Sequence, residues 1–227
     1  MSTRNKGVRA LKASTVFKHV RIVFWMVLIA ILFFGGAIWA WEGAIKYHFI
    51  PKRFGVIEAG QIYRSGQISA SLIKKILVEY KIGVIVSLSG EENGADVNAE
   101  KRIAAELGID RLVFSSLGGN GIGNINDYAG AIATVCEAKK KQKPVLVHCS
   151  AGVNRIGGVM AIYQLLVEKK SPQFVLDEMK HYGFNPKKNV HLLAYLNSNM
   201  KDLAVSLKQR GVIDNVPSPL PHIGPAN

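Results

Sequence analysis

The rhythm of apolar and polar positions divides the chain into regions of different character. Residues 22–41, IVFWMVLIAILFFGGAIWAW, form an apolar run of 20 residues without a charged side chain. As a helix such a run spans ~30 Å, about one hydrocarbon core. Trp25 lies near one end and Trp39 and Trp41 at the other, as in interfacial aromatic belts. The pattern predicts a transmembrane helix over 22–41, preceded by a basic N-terminal segment at 1–21. A buried core helix is usually shorter and apolar on one stripe only. A secretory signal has an apolar region of about 7–15 residues, shorter than this one. The small residues around Gly35 and Ala37 nevertheless leave cleavage as an alternative.

Beyond a linker at 42–55, short apolar runs alternate with amphipathic stretches over 56–210. GVIEAGQIYRSG predicts a hairpin-like start built on Val56, Ile57, Ile62 and Tyr63. SASLIKKILVEYKI reads as a helix capped by Ser69 or Ser71. Strands follow at GVIVSLSG, DRLVFSSL and KPVLVHC, and helices at DVNAEKRIAAELGI, DYAGAIATVCEAKKK and RIGGVMAIYQLLVEKK. GGNGIGNIN between them reads as a long flexible loop, and Ser171 and Pro172 open the last helices, which reach to about Gln209. This alternation predicts an α/β fold with a mainly parallel central sheet flanked by helices. The tail at 211–227 holds four of the eight prolines and is predicted to be disordered.

Charge adds an orientation. The formal net charge is +13, and residues 1–21 contribute six basic residues and no acidic one. Lys46, Lys52 and Arg53 follow the apolar run. By the positive-inside rule the N-terminus is cytoplasmic and the body extracytoplasmic, giving a single-pass membrane protein. A basic body suits anionic substrates or a membrane surface. No basic stripe interleaved with aromatics points to nucleic acid. Cys136 and Cys149 are the two cysteines, too few for a disulfide framework or a cysteine-rich zinc site, and no pattern implies a metal or cofactor.

The candidate chemistry sits at HCSAGVNRIG, residues 148–157, after a buried strand and before a helix. Gly152 lets successive backbone N–H groups of Ser150, Ala151, Gly152, Val153 and Asn154 turn inward, and the next helix offers its N-terminus to the same spot. That positive field favours the thiolate form of Cys149. Arg155 can grip two phosphate oxygens at once. Cys149 then accepts a phosphoryl group that water later releases, with His148 orienting the cysteine backbone.

These residues resemble the H-C-x5-R signature of the cysteine-dependent tyrosine and dual-specificity phosphatases, in particular the small bacterial type. IYRSGQ at 62–67, GVIVSLSG at 83–90 and the NAEKRIAAELGI segment add to the likeness, which covers about 160 residues. The resemblance implies phosphomonoester hydrolysis through a phosphocysteine, on phosphoprotein or small phosphoester substrates; it also includes Arg64 and Gln67, for which a structural role is expected. Two departures matter. The family usually places a Ser or Thr after the arginine, where this chain has Ile156. It also supplies an aspartic general acid some 30 residues upstream, where the available residue is Asp127, 22 positions before Cys149; capping a helix is its expected role, and the acid role is carried as the alternative. The alternative is a pseudo-phosphatase that binds phosphorylated ligands without turnover; a sulfurtransferase-type loop fits the spacing poorly. The absence of lysine within the loop argues against a highly phosphorylated inositol headgroup. Oligomeric state is not legible.

Overall fold

The computed structural model describes residues 21, 24–41 and 45–224. It divides into two units, Met1–Lys46 and Tyr47–Asn227. In the first, residues 24–40 form helix α1, with Phe24, Ile29, Leu32, Phe33, Phe34 and Trp39 exposed. Among the described residues, no helix is long and apolar enough to cross a membrane. Residues 22, 23 and 42–44, which the predicted span and linker include, lie outside the described residues, as do 1–20 and 225–227.

The second unit is a five-stranded sheet of order β1-β2-β5-β3-β4. Its strands are β1 (Gly55–Glu58), β2 (Ile62–Ser65), β3 (Val84–Ser87), β4 (Asp110–Val113) and β5 (Val145–His148). All neighbours pair in parallel except β1, which closes an antiparallel hairpin with β2 at the edge. The expected mainly parallel α/β sheet is present. Alternation within the strands divides the core between the two faces. Ile62, Val84, Val86, Val145 and Val147 face one apolar cluster with α4 (Ile125–Lys140), α5 (Asn154–Ile162), α6 (Pro172–His181), α7 (Val190–Ser198) and α8 (Met200–Gln209). Tyr63, Ile85 and Leu146 face the other, with α2 (Ile73–Glu79) and α3 (Ala95–Glu106). Strands buried on both faces read as continuous apolar runs, which is why VLV and VIV stood out.

Several boundaries differ from expectation. α2 starts at Ile73 without a side-chain cap; the hydroxyls of Ser69 and Ser71 bond each other instead. α4 starts two residues early because Asn124, whose side chain accepts from the Asn126 N–H, is its cap. α5 continues as a π-turn over Tyr163–Val167. Phe54, placed in the linker by sequence, stacks on Tyr63 and packs against Tyr80, so this unit begins well before residue 56.

The tail was expected to be disordered, yet residues 211–224 pack on the body. Ile223 is buried, its backbone exchanging two hydrogen bonds with the Asn197 amide. Val212, Ile213 and Val216 lie against the same cluster. Proline content misled here: prolines exclude helix and strand, but apolar anchors between them still bind an irregular segment to a core.

Candidate active site

The site is the loop between β5 and α5, at the carboxyl end of the central strand. Ligands bind in this crevice of open α/β sheets. His148 ends β5, paired with Ser65 of β2 and Ser87 of β3. Cys149 follows, almost fully buried, and its Sγ accepts a hydrogen bond from the Gly152 N–H at 3.2 Å. Gly152 has φ +76°, and a Cβ there would lie 2.7 Å from the Gly66 nitrogen. Both the left-handed backbone and the close approach exclude a side chain. The amides of Ser150, Ala151 and Val153 donate to no backbone carbonyl among the described residues. The first amides of α5 lack partners within the helix. With the Gly152 N–H on the sulfur, these unengaged donors suit the loop to a tetrahedral oxyanion.

Arg155, in the first turn of α5, reaches back across the loop. Its Nη1 donates to the Leu88 carbonyl and its Nη2 to Ser150 Oγ, both at 3.0 Å. Ser150 Oγ also lies 3.1 Å from Ser89 Oγ, so the chain after β3 abuts the loop. The predicted loop residues 149–155 are therefore brought together around one sulfur. The His148 side chain is buried and faces Glu100 rather than the Cys149 backbone it was expected to orient, with Nε2 3.1 Å from Glu100 Oε2 but short of full hydrogen-bond alignment. Arg111 Nε donates to the other Glu100 oxygen at 2.8 Å, and Gln67 Nε2 to Oε2 at 3.2 Å. Burial, the largest influence, pushes the Glu100 pKa up, but His148 and Arg111 outweigh it and hold the carboxyl at about 2.

Asp127 lies in the first turn of α4 and is not its cap. Its Oδ2 accepts from the Ser116 N–H at 2.9 Å, which ties down the loop before the helix. That loop, expected to be flexible, is held at many points. The Tyr128 hydroxyl donates to the Gly121 carbonyl at 2.6 Å, the Tyr195 hydroxyl to the Gly123 carbonyl, and Asn154 Nδ2 to the Gly119 carbonyl at 3.2 Å. Glycine-rich composition suggests freedom, but tyrosines of α4 and α7 satisfy the carbonyls of Gly121 and Gly123. Ile156 is wholly buried in the cluster that contains Tyr128, Val159 and Met160. Cys136 lies far along α4 and lines a cavity with Tyr163 and Glu168, away from the loop, and burial pushes its pKa up to about 11.

Sequence reasoning did not single out Glu100, Ser89 or Glu178. Glu100 was detectable in principle as an acidic residue on the apolar face of α3; the others depend on chain crossings that only the fold creates. Among the described residues, no cluster of His, Cys, Asp and Glu is arranged to hold a metal ion.

Comparisons with known proteins agree with this geometry. The protein-tyrosine phosphatase family profile matches residues 123–181, which contain the whole loop. The dual specificity protein phosphatase TpbA of Pseudomonas aeruginosa is 42% identical over 48 residues, 21% of this chain and 22% of TpbA. The matched stretch thus spans about a fifth of that curated relative. In fold, the chain resembles the TpbA crystal structure with TM-score 0.55 at 19% identity, over 70% of this chain and 91% of that one. The catalytic core of the PP-IP phosphatase SIW14 from S. cerevisiae, solved with citrate, gives 0.54 at 18%, over 75% and 97%. PTPMT1 in complex with PI(5)P gives 0.52 at 14%, over 70% and 99%. With the cysteine loop, its arginine and the surrounding sheet in place, residues 123–181 match the protein-tyrosine phosphatase family, and the sheet and helices around them share the fold of these solved phosphatases.

Proposed function

We propose that the chain is a membrane-anchored phosphatase that hydrolyses phosphate monoesters through a phosphocysteine. The observation that carries this is the Cys149 sulfur accepting from the Gly152 N–H, in a loop whose neighbouring amides have no backbone acceptor among the described residues and across which Arg155 reaches to Ser150. In the first step Sγ bonds to phosphorus while the ester P–O bond breaks and the leaving oxygen takes a proton. In the second, water attacks phosphorus, inorganic phosphate departs and the thiolate is regenerated. Arg155 exchanges its present acceptors for phosphate oxygens and stabilises the charge spread over them in the transition state.

Asp127, in the first turn of α4, is the acid candidate, and delivering a proton requires it to release the Ser116 N–H. Without that release, the first step favours esters of acidic alcohols such as phenols, which leave as anions. TpbA has been solved with pTyr and PTPMT1 with PI(5)P, which supports phosphoester substrates of this general kind. The anchor rests on the apolar run 22–41 and the exposed apolar side chains of α1, which call for an apolar environment. The excess of basic residues before that run supports an extracytoplasmic body.

The test is hydrolysis of an activated aryl phosphate by the full-length chain, compared with Cys149→Ser, with mass-spectrometric detection of phosphate on Cys149. Activity lost in the serine variant and a trapped phosphocysteine are expected. Binding of phosphate without any turnover by the unaltered chain would defeat the reading in favour of a pseudo-phosphatase.

A further inference from the structure

Backbone amides point into a loop only if something holds the carbonyls out. In a planar trans peptide the C=O and the following N–H point in opposite directions. Pulling a carbonyl outward therefore turns the next residue's N–H inward. Three successive loop carbonyls are pulled outward here, all by one segment of chain. The Gln67 N–H donates to the Ser150 carbonyl at 3.2 Å. Arg53 Nη1 donates to the Ala151 carbonyl at 2.8 Å. Arg64 Nη2 donates to the Gly152 carbonyl at 3.1 Å. The N–H groups turned inward are those of Ala151, Gly152 and Val153, and the Gly152 N–H indeed meets Sγ.

We propose that the segment from Arg53 to Gln67 braces the phosphate-binding loop, with Arg53 and Arg64 as positioning residues that set the inward aim of its amides. The inference rests on the phosphatase reading of Cys149 and names what prepares that site. Arg53 takes φ +48°, a left-handed conformation that costs a side-chain-bearing residue energy and tends to persist at functional sites. It is exposed and forms no ion pair among the described residues, so neither core packing nor a salt bridge accounts for its placement. Arg64 is buried, a costly place for a cation. It lies 3.8 Å from the Tyr182 ring and 3.5 Å from Glu178 Oε1, while its Nε has no hydrogen-bond partner. Gln164, in the π-turn, donates to the other Glu178 oxygen. The Gly66 N–H bonds the Lys52 carbonyl at 2.7 Å, and Phe54, stacked on Tyr63 and tilted against Tyr80, fixes the base of the brace.

The charged and titratable groups around the loop are Arg53 and Arg64 on this side, Arg155 on α5, and His148 on β5 with Glu100 behind it. Glu178 and Tyr182 come from α6 and the turn after it. The test uses the full-length chain carrying Cys136→Ala, so that iodoacetamide reports Cys149 alone. Arg53→Ala, Arg53→Lys and Arg64→Met are compared for three properties: the pH midpoint of alkylation, the affinity for inorganic vanadate, and hydrolysis of an aryl phosphate. Expected for Arg53→Ala are a midpoint moved to higher pH, vanadate binding weakened about three- to tenfold, and a kcat lowered to a similar degree. Arg53→Lys, which keeps a donor, restores part of each. Arg64→Met has the larger effect where it folds; where it does not, Arg53→Ala decides, because an exposed side chain is dispensable for folding. A folded Arg53→Ala protein with the unaltered midpoint and vanadate affinity overturns the brace. A parent chain that binds vanadate but hydrolyses nothing defeats the phosphatase reading instead, and the brace is then decided by the midpoint and affinity alone.

Discussion

At the scale of single residues, the proposed function assigns separable tasks to Cys149 and Arg155. Cys149→Ser removes the nucleophile but leaves the amides and the guanidinium, so it is expected to abolish hydrolysis while still binding vanadate. Arg155→Ala removes a bidentate contact and is expected to lose both. Isothermal titration with vanadate checks this, and equal affinities in the two variants would contradict the roles. Ile156 raises a sharper question. It fills a fully buried position beside Val159 and Met160, where the family usually has a hydroxyl. On the proposed mechanism a sulfur without that hydrogen bond is a poorer leaving group, so phosphocysteine is expected to accumulate and an activated ester to give a burst followed by slow turnover. Ile156→Thr is expected to shorten the burst phase and raise turnover roughly tenfold. Burying the hydroxyl among apolar neighbours costs about 2 kcal/mol of stability at the same time. Stopped-flow kinetics together with a thermal melt separate the two effects.

At the scale of elements, Glu100 links α3 to the end of β5 and to β4 through His148 and Arg111. Its folded pKa, about 2, lies below the ordinary carboxylate value of 4.5. The ionised carboxylate therefore contributes stability that is complete above about pH 4.5 and lost as pH falls toward 2. Glu100→Gln is expected to cost about 3 kcal/mol or more near neutral pH and to flatten this acid limb, as urea titrations between pH 2 and 7 would record. The tail supplies a second element-level test. Truncation after Gly211 removes Val212, Ile213, Val216 and Ile223 from the core and is expected to lower stability by about 3 kcal/mol or more. An unchanged melting temperature would show that the tail's packing contributes little.

At the scale of the whole molecule, the basic N-terminal segment and the apolar run lead to one topological prediction. A reporter fused after Gly43 is expected to be exported, and one at the N-terminus to stay cytoplasmic. Protease protection of the body in cells with a permeabilised outer layer would refute that orientation. In an oxidising compartment Cys149 would be exposed to sulfenic acid formation. Cys136 is badly placed to resolve it. It is the twelfth residue of α4, which starts near the site, and so stands about 16 Å down the helix at 1.5 Å per residue.

Strand alternation and buried apolar runs are local properties, and they determine the order of elements and the mainly parallel sheet. The loop was legible for the same reason: nucleophile, glycine and arginine lie within seven consecutive residues, and the strand before them and helix after them set their geometry. What tertiary structure alone decided are the contacts between segments distant in sequence. Arg53 and Arg64 meet the loop from almost a hundred residues upstream, and Glu100 reaches His148 across the sheet. The tail's burial depends on a partner amide at Asn197, and the glycine-rich loop is stiffened by Tyr128 and Tyr195. Periodicity records which face a residue turns, but not what waits there, because that is set by how the elements pack.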